Sequence, residues 1–582
     1  MRLTNVGHLR LPFGRLYGYD VAVSAPAGDL PVSFDQRRHV GAGERPGSWM
    51  ALSFELAEPI PRDRLAEAWL RVIERHGTLR TVFVEGDDGP RLHEVQIGAG
   101  GWIEHPIGTG QAVNEALRTV LDADCTPYSR PSHRLCVLEK AAGPTVVVAA
   151  DHAHVDMWSM LVVARDLLAA LTGPLVGEVP AFVGHTRAMA DRPAAPADVR
   201  ARWAQILADS GGVMPRFPLP LGDSEPSAER VEVRDVFDVD DSAAFSAQAR
   251  SDGVSTLSAA VSVMTAVTGE LADRPLRAVF PVHSRYDEAW HESVGWFITN
   301  SVIESSDPDP SACADAVREA VRLGSWPLRA ILEPWGGDMP EAPGMFAISW
   351  LDLRRLPVRI DSTSIDAQYV GAVIRTDGVM LWFILDEAGL HLRCRYPDTP
   401  EARVNVGGWL DLLVTRLQGR ARSSAGDVLH IGDRTFRVQR ARRSDVAAIV
   451  DLLSDDDIGR EREGAELERY EAAFDVVVRD RAHYLAVVRD EQDRIVATMQ
   501  LTVIPGLSRG GSTRLQIEGL RVAEAERSRG LGSAMLGWAH AHGRAHGARL
   551  VQVATDEVRI RARGFYLRAG YRAGHVGLKR DL

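Results

Sequence analysis

From Arg62 to Arg75, apolar Leu65, Ala68, Trp69, Val72 and Ile73 recur three and four residues apart among charged ones, which predicts an amphipathic helix. From Thr145 to Ala150 the chain is instead continuously apolar, short and β-branched. That pattern predicts a strand covered on both faces. Helical spacing returns over 158–171, and helices and strands alternate through the first 420 residues. The residues from 151 onward therefore sit in a turn at the C-terminal end of a buried strand, where α/β folds commonly build their sites. Past residue 428 a fresh alternation begins. Residues 436–440 read as a strand, 446–453 as a helix, and 484–488 and 495–499 as strands.

Two stretches interrupt this alternation. Residues 191–229 are rich in Pro, Ala and Asp and include Met214-Pro-Arg-Phe-Pro-Leu-Pro-Leu, which cannot form a continuous helix. They predict a connector between two lobes. Residues 421–433 are short and polar and predict an interdomain linker. The expected organisation is a first lobe over 1–190, a second over 191–420, and a separate domain over 434–582. No internal repeat is visible.

Composition narrows the class. With 45% hydrophobic and 25% charged residues, the chain is globular in type. No apolar run reaches the ~20 residues of a membrane span, and Met1-Arg2-Leu3-Thr4 opens no signal peptide. A cytoplasmic protein without a membrane partner is expected. The formal charge of −12 argues against nucleic acid, which rewards a basic surface. Lys140 and Lys579 are the only lysines, so anion contacts fall to arginine or backbone amides. Cys125, Cys136, Cys313 and Cys394 are too scattered to suggest disulfides or a zinc site, and no metal is expected.

Two segments carry candidate chemistry. The first is Asp151-His152-Ala153-His154-Val155-Asp156-Met157-Trp158-Ser159. A histidine near pKa ~6.5 can take a proton from an amine attacking a thioester carbonyl. The second follows the strand 515–522, where the turn 523–531 offers successive backbone N–H groups before a helix over 532–545. Glycines and a helix N-terminus together suit a pyrophosphate.

Residues 28–420 resemble the condensation-domain superfamily of nonribosomal peptide synthetases, which shares its fold with chloramphenicol acetyltransferase. The resemblance rests on four motifs in order: Ser33-Phe-Asp-Gln36-Arg37-Arg38, Arg75-His76-Gly-Thr-Leu79-Arg80-Thr81-Val-Phe83, Asp151 to Ser159, and Val294-Gly295-Trp-Phe297-Ile-Thr-Asn300. It implies His152 as the catalytic histidine and Asp156 as the catalytic motif's acid, in a mainly structural role. It also implies that Arg285, from Pro281-Val-His-Ser-Arg285, pairs with Asp156 in support. Arg37 and Arg80 read as lobe-packing residues and His154 as a loop or core residue. Two departures stand out: Asp151 replaces the family's first histidine, and Met157 replaces a glycine that lines the substrate channel. Either the substrate is small or the site has lost condensation. The family also implies phosphopantetheine-tethered substrates on an acyl or peptidyl carrier protein, here as a separate chain.

Residues 434–582 resemble the GNAT superfamily of N-acetyltransferases, through Arg527-Ser-Arg529-Gly530-Leu531-Gly532 and Phe565-Tyr566-Leu-Arg-Ala-Gly570-Tyr571. The resemblance implies acetyl-CoA, or another acyl-CoA, held by Leu520, Val522, Arg527, Arg529, Gly530, Leu531, Gly532 and Ser533. It implies Glu518 as base through a water, or as binder of the substrate ammonium. Tyr566 is implied as the acid for the CoA thiolate, or as a packing group. Thr555, Asp556 and His575 read as acceptor-pocket or surface residues.

The expectation is thus an α/β chain with a two-lobed condensation-type fold and a C-terminal GNAT fold. It predicts a bifunctional acyltransferase acting on a small amine or amino acid. Three other readings stay open: a silent carrier-docking platform in the first half, a self-protecting acetyltransferase, and an ester-forming first domain.

Overall fold

The structure is a computed structural model of the chain, and it describes all residues except 10, 141–142, 223, 363, 425–426, 456, 464, 481, 557, 575–579 and 581–582. The chain divides into two compact units, Met1–Gly419 and Arg420–Leu582.

The first unit holds two seven-stranded sheets. In the first, the strand Thr145–Asp151 lies between Trp49–Glu55 and His133–Glu139, antiparallel to both, and all its residues are buried. Burial on both faces is what its unbroken apolar sequence demands. One face packs Val146 and Val148 against Leu65, Trp69 and Val72 of the helix Arg62–Arg75 and Leu161 of the helix Met157–Ala170. The other packs Val147 and Ala149 against Leu117 and Leu121 of the helix Val113–Asp124. The second sheet is built from strands between Ser227 and Pro397, with Leu276–His283 and Ile298–Ser305 at one side.

The first lobe is not confined to residues 1–190. The strand Gln368–Gly371 leaves the second lobe and enters the first sheet, antiparallel to Trp49–Glu55 and parallel to Arg2–Asn5. Leu356, Val358, Ala367 and Tyr369 are buried in the first lobe's core, and this apolar segment is what draws the chain back across.

The stretch 191–229, expected to be a connector, holds the helix Ala197–Asp209 and the start of the strand Ser227–Phe237. Pro196 precedes the helix, where its missing N–H costs nothing, and Val199, Trp203, Ile206 and Leu207 bury one helical face. The linker expected over 421–433 is likewise occupied: the helix Pro400–Ser424 enters it, and Asp427–Ile431 forms a strand. Alternation of Leu429 and Ile431 with polar neighbours lets that strand pair with Arg434–Arg440.

The second unit is a six-stranded sheet. Asp427–Ile431, Arg434–Arg440, His483–Arg489, Ile495–Ile504 and Arg514–Val522 are consecutively antiparallel. Leu550–Val553 then pairs parallel with Arg514–Val522. Met535, Leu536 and Ala539 of the helix Leu531–Ala545 close one side of its core.

Candidate functional site

In the first unit, the turn after Thr145–Asp151 aims His152. Its backbone N–H donates to the Ser48 carbonyl at 3.1 Å. The ring is half-buried and stacks on Trp296, with centroids 4.0 Å apart and planes inclined by 25°. Its Nδ1 is buried without a hydrogen-bond partner. Burial pushes the His152 pKa below the usual histidine value, so the ring is neutral at neutral pH and can accept a proton.

The flanking carboxylates are fully engaged. Asp156 caps the helix Met157–Ala170, accepting the Ser159 N–H at 2.6 Å. Arg285 grips it at two points: Nη1 donates to Oδ2 at 2.7 Å and Nη2 to Oδ1 at 3.2 Å. The Phe297 N–H adds a third donor at 3.0 Å. Both side chains are buried, and Arg285 also lies over the Phe297 ring at 4.0 Å. Burial alone would raise the Asp156 pKa, but Arg285 and these hydrogen bonds hold it low. Asp156, its oxygens taken by Ser159, Arg285 and Phe297, therefore positions the turn.

Asp151 is a second buried anion. It accepts from the Ser48 hydroxyl at 2.5 Å, the Ala153 N–H at 2.9 Å, and His39 Nε2 at 3.2 Å to each oxygen. Burial is the strongest influence and opposes its charge, but the hydrogen bonds from His39 and the Ser48 hydroxyl, with the nearby histidines, together outweigh it and leave the pKa below the ordinary value. Gln36, one helical turn before His39, donates to the Ala153 carbonyl at 2.8 Å. Met157 is half-buried, and its carbonyl accepts the Tyr369 hydroxyl of the crossing strand at 2.6 Å. His154 is buried with its ring edge-on to Phe83 and belongs to the core. His76 Nε2 and Arg75 both hold Asp166 on the helix behind the turn. Thr78 Oγ1 donates to the Val294 carbonyl at 2.6 Å, joining two of the motifs.

His39, Trp296, Ser48 and Tyr369 were not singled out in the sequence. The helical offset of His39 from Gln36 is the one signal that places it on the same side of its helix.

In the second unit, Arg514–Val522 pairs with Leu550–Val553 only from Arg514 to Ile517. Beyond Ile517 the two strands part, and exposed Glu518 and Gly519 stand at the opening, with Leu520 and Val522 following it. A bulge opposite, between Thr498 and Gln500, sets Gln500 against Glu518. The turn then reaches Ser528 at φ 63° and Gly530 at φ 93°, both left-handed. The helix Leu531–Ala545 starts there, and the N–H groups of Leu531, Gly532 and Ser533 are those a helix leaves without an internal partner. Gly532 keeps the first turn close to Phe565, whose ring would lie 3.4 Å from a Cβ at that position. This cradle fits a pyrophosphate.

Arg527 serves the cradle indirectly. Its guanidinium donates to the Val522 carbonyl and to Asp455, and its N–H to the Glu524 carbonyl, so it fastens the loop. Arg529 is exposed beside Glu526. Tyr566, on the helix Ile560–Arg568, is half-buried and packs in one cluster with Leu520, Val522, Phe565 and Tyr571. Burial raises its pKa, with Arg521 and Arg559 opposing. Thr555 and Asp556 are exposed after the last strand, and His575 lies outside the described residues.

Comparison with known proteins agrees with this architecture. Residues 446–571 match the family model Acetyltransferase (GNAT) family. Over 435 residues the chain is 23% identical to "Acyltransferase PapA3" of Mycobacterium tuberculosis, spanning 69% of this chain and 91% of that one. The solved structure "PapA2 acyl transferase" superposes with a TM-score of 0.64 at 18% identity, over 72% of this chain and all of its own. The first condensation domain of the CDA synthetase gives a TM-score of 0.54 at 14% identity, over 69% of this chain and 97% of its own.

Proposed function

We propose, for a chain that joins a condensation-domain fold to a domain of the GNAT family, an enzyme with two acyl-transfer sites. The observation that carries the reading is His152: a neutral, proton-accepting ring held between two carboxylates that are themselves fully hydrogen-bonded.

In the first unit, an amine attacks an acyl thioester carbonyl. The C–N bond forms, His152 takes the amine proton, and the C–S bond breaks to release a thiol that recovers that proton. The carbonyl donor would arrive on phosphopantetheine, carried by a separate acyl or peptidyl carrier protein. In the second unit, the cradle at 528–533 would hold the pyrophosphate of acetyl-CoA or another acyl-CoA. Glu518 at the strand opening would take the proton of a small amine or amino acid through a water, and Tyr566 would protonate the departing CoA thiolate. The two reactions would serve the building of a peptide-like natural product in the cytoplasm.

Asp151 and Met157 favour a second reading, in which the first unit only docks a carrier protein and the GNAT domain alone is catalytic. Mass spectrometry of products from acyl-CoA and free or carrier-loaded amines separates the two. If His152→Ala abolishes a condensed amide while acetylation survives, both sites act. If only acetylated amine ever forms, and His152→Ala changes nothing, the first unit is a platform.

A further inference from the structure

The position before His152 holds an acid, yet an imidazole lies against it. His39, on the helix Phe34–Gly41, directs Nε2 at both oxygens of Asp151 at 3.2 Å. Its Nδ1 faces Arg45 Nη2 at 2.9 Å, and Arg45 Nη1 donates to the His39 carbonyl at 2.8 Å. A guanidinium has donors only, so Nδ1 must accept, and the ring proton sits on Nε2 facing Asp151. The order Arg45, His39, Asp151 therefore brings a positive charge to a buried anion through a neutral ring.

Asp151 in turn clamps the segment on either side of His152. One oxygen takes the hydroxyl of Ser48, whose carbonyl holds the His152 N–H, and the other takes the N–H of Ala153. Gln36, three residues before His39, holds the Ala153 carbonyl from the same helix. The His39 ring also makes a T-shaped contact at 5.2 Å with Trp296, the ring on which His152 stacks.

We propose that His39 is a positioning residue of the first site, which through Asp151 and with Arg45 fixes the turn and Trp296 so that His152 stays aimed. The inference rests on the reading of His152 as the base. It assigns the replacement at 151 a consequence: the imidazole absent from the turn is supplied by a helix more than a hundred residues earlier in the chain.

The test uses the full chain with an acyl-pantetheine thioester and a small amine. It compares wild type, His39→Ala, His39→Gln, Asp151→Asn and the double variant His39→Ala/Asp151→Asn, with acyl-CoA turnover and thermal unfolding as fold controls. Loss of a positioning contact costs on the order of 10²-fold. His39→Ala and Asp151→Asn should each lower kcat by about that factor with KM little changed, and the double variant should fall no further. His39→Gln, whose amide can donate to Asp151 and accept from Arg45, should recover most of the rate. Imidazole ¹⁵N spectra should show the Nε2–H tautomer of His39 and a moved His152 signal in His39→Ala. Wild-type kcat and unmoved His152 signals in His39→Ala would overturn the proposal, as would additive losses in the double variant. If wild type and His152→Ala alike form no amide, the functional reading fails, and the spectra alone decide whether His39 positions His152.

Discussion

Trp296 lies flat against His152 at 4.0 Å between ring centroids, although 144 residues separate them in sequence. The two lobes meet in that stack: the histidine follows the strand Thr145–Asp151 of the first, and the indole precedes the strand Ile298–Ser305 of the second. Removing the indole frees the ring to rotate. Trp296→Ala should lower amide formation about tenfold while acyl-CoA turnover by the second unit is unchanged, as measured in one assay with both donors.

The fork of Arg285 on Asp156 is fully buried, so breaking it strands a charge. Arg285→Ala should cost about 3–5 kcal/mol of stability in the first unit, read as a lower denaturant midpoint. Arg285→Lys should recover little of this, because an ammonium cannot reproduce the two-point grip and the Phe297 contact.

His133 sits in the first unit's core with Nε2 at 2.9 Å from the Leu79 carbonyl, and burial lowers its pKa to about 3. The unfolded chain, with a histidine near pKa ~6.5, binds the proton first. Stability from this group is thus complete above about pH 6.5 and declines as pH falls below it, by about 2 kcal/mol at pH 5. Thermal unfolding should show that decline in wild type and a shallower one in His133→Gln.

Much of this arrangement was legible beforehand, and for definite reasons. Leu65, Trp69 and Val72 announce their helix because local period alone decides it. The apolar run from Thr145 to Ala150 announces a doubly covered strand in the same way. His39 was not legible, since its partner Asp151 is 112 residues away and only tertiary packing joins them. The crossing strand Gln368–Gly371 was missed because four residues leave too little pattern to assign a sheet. Proline obscured the helix Ala197–Asp209, although Pro196 marks its start.

Tyr566 holds its proton past the usual tyrosine value because it is buried. Acyl-CoA turnover should therefore stay level on the alkaline side to about pH 10. Tyr566→Phe should lower its kcat on the order of 10²-fold, with CoA release followed by a thiol reagent.

Gly530 adopts φ 93°, and a Cβ there would lie 3.2 Å from Ile431. Strain of about 1–2 kcal/mol from any other residue should reshape the cradle. Gly530→Ala should raise KM for acyl-CoA about tenfold and leave the first unit's amide formation alone, which steady-state kinetics on both donors will show.

The strand Gln368–Gly371 sits between Arg2–Asn5 and Trp49–Glu55, so the first sheet needs residues from both ends of the first unit. During synthesis, the segment through Asp151 leaves the ribosome with a gap in its sheet and two unpaired edges. The gap closes only once residue 371 has emerged. Such long-range closure is slow, and open edges recruit other chains. A nascent first unit is therefore open to association until that point, and a chain cut after the first lobe is expected to aggregate rather than fold as half an enzyme.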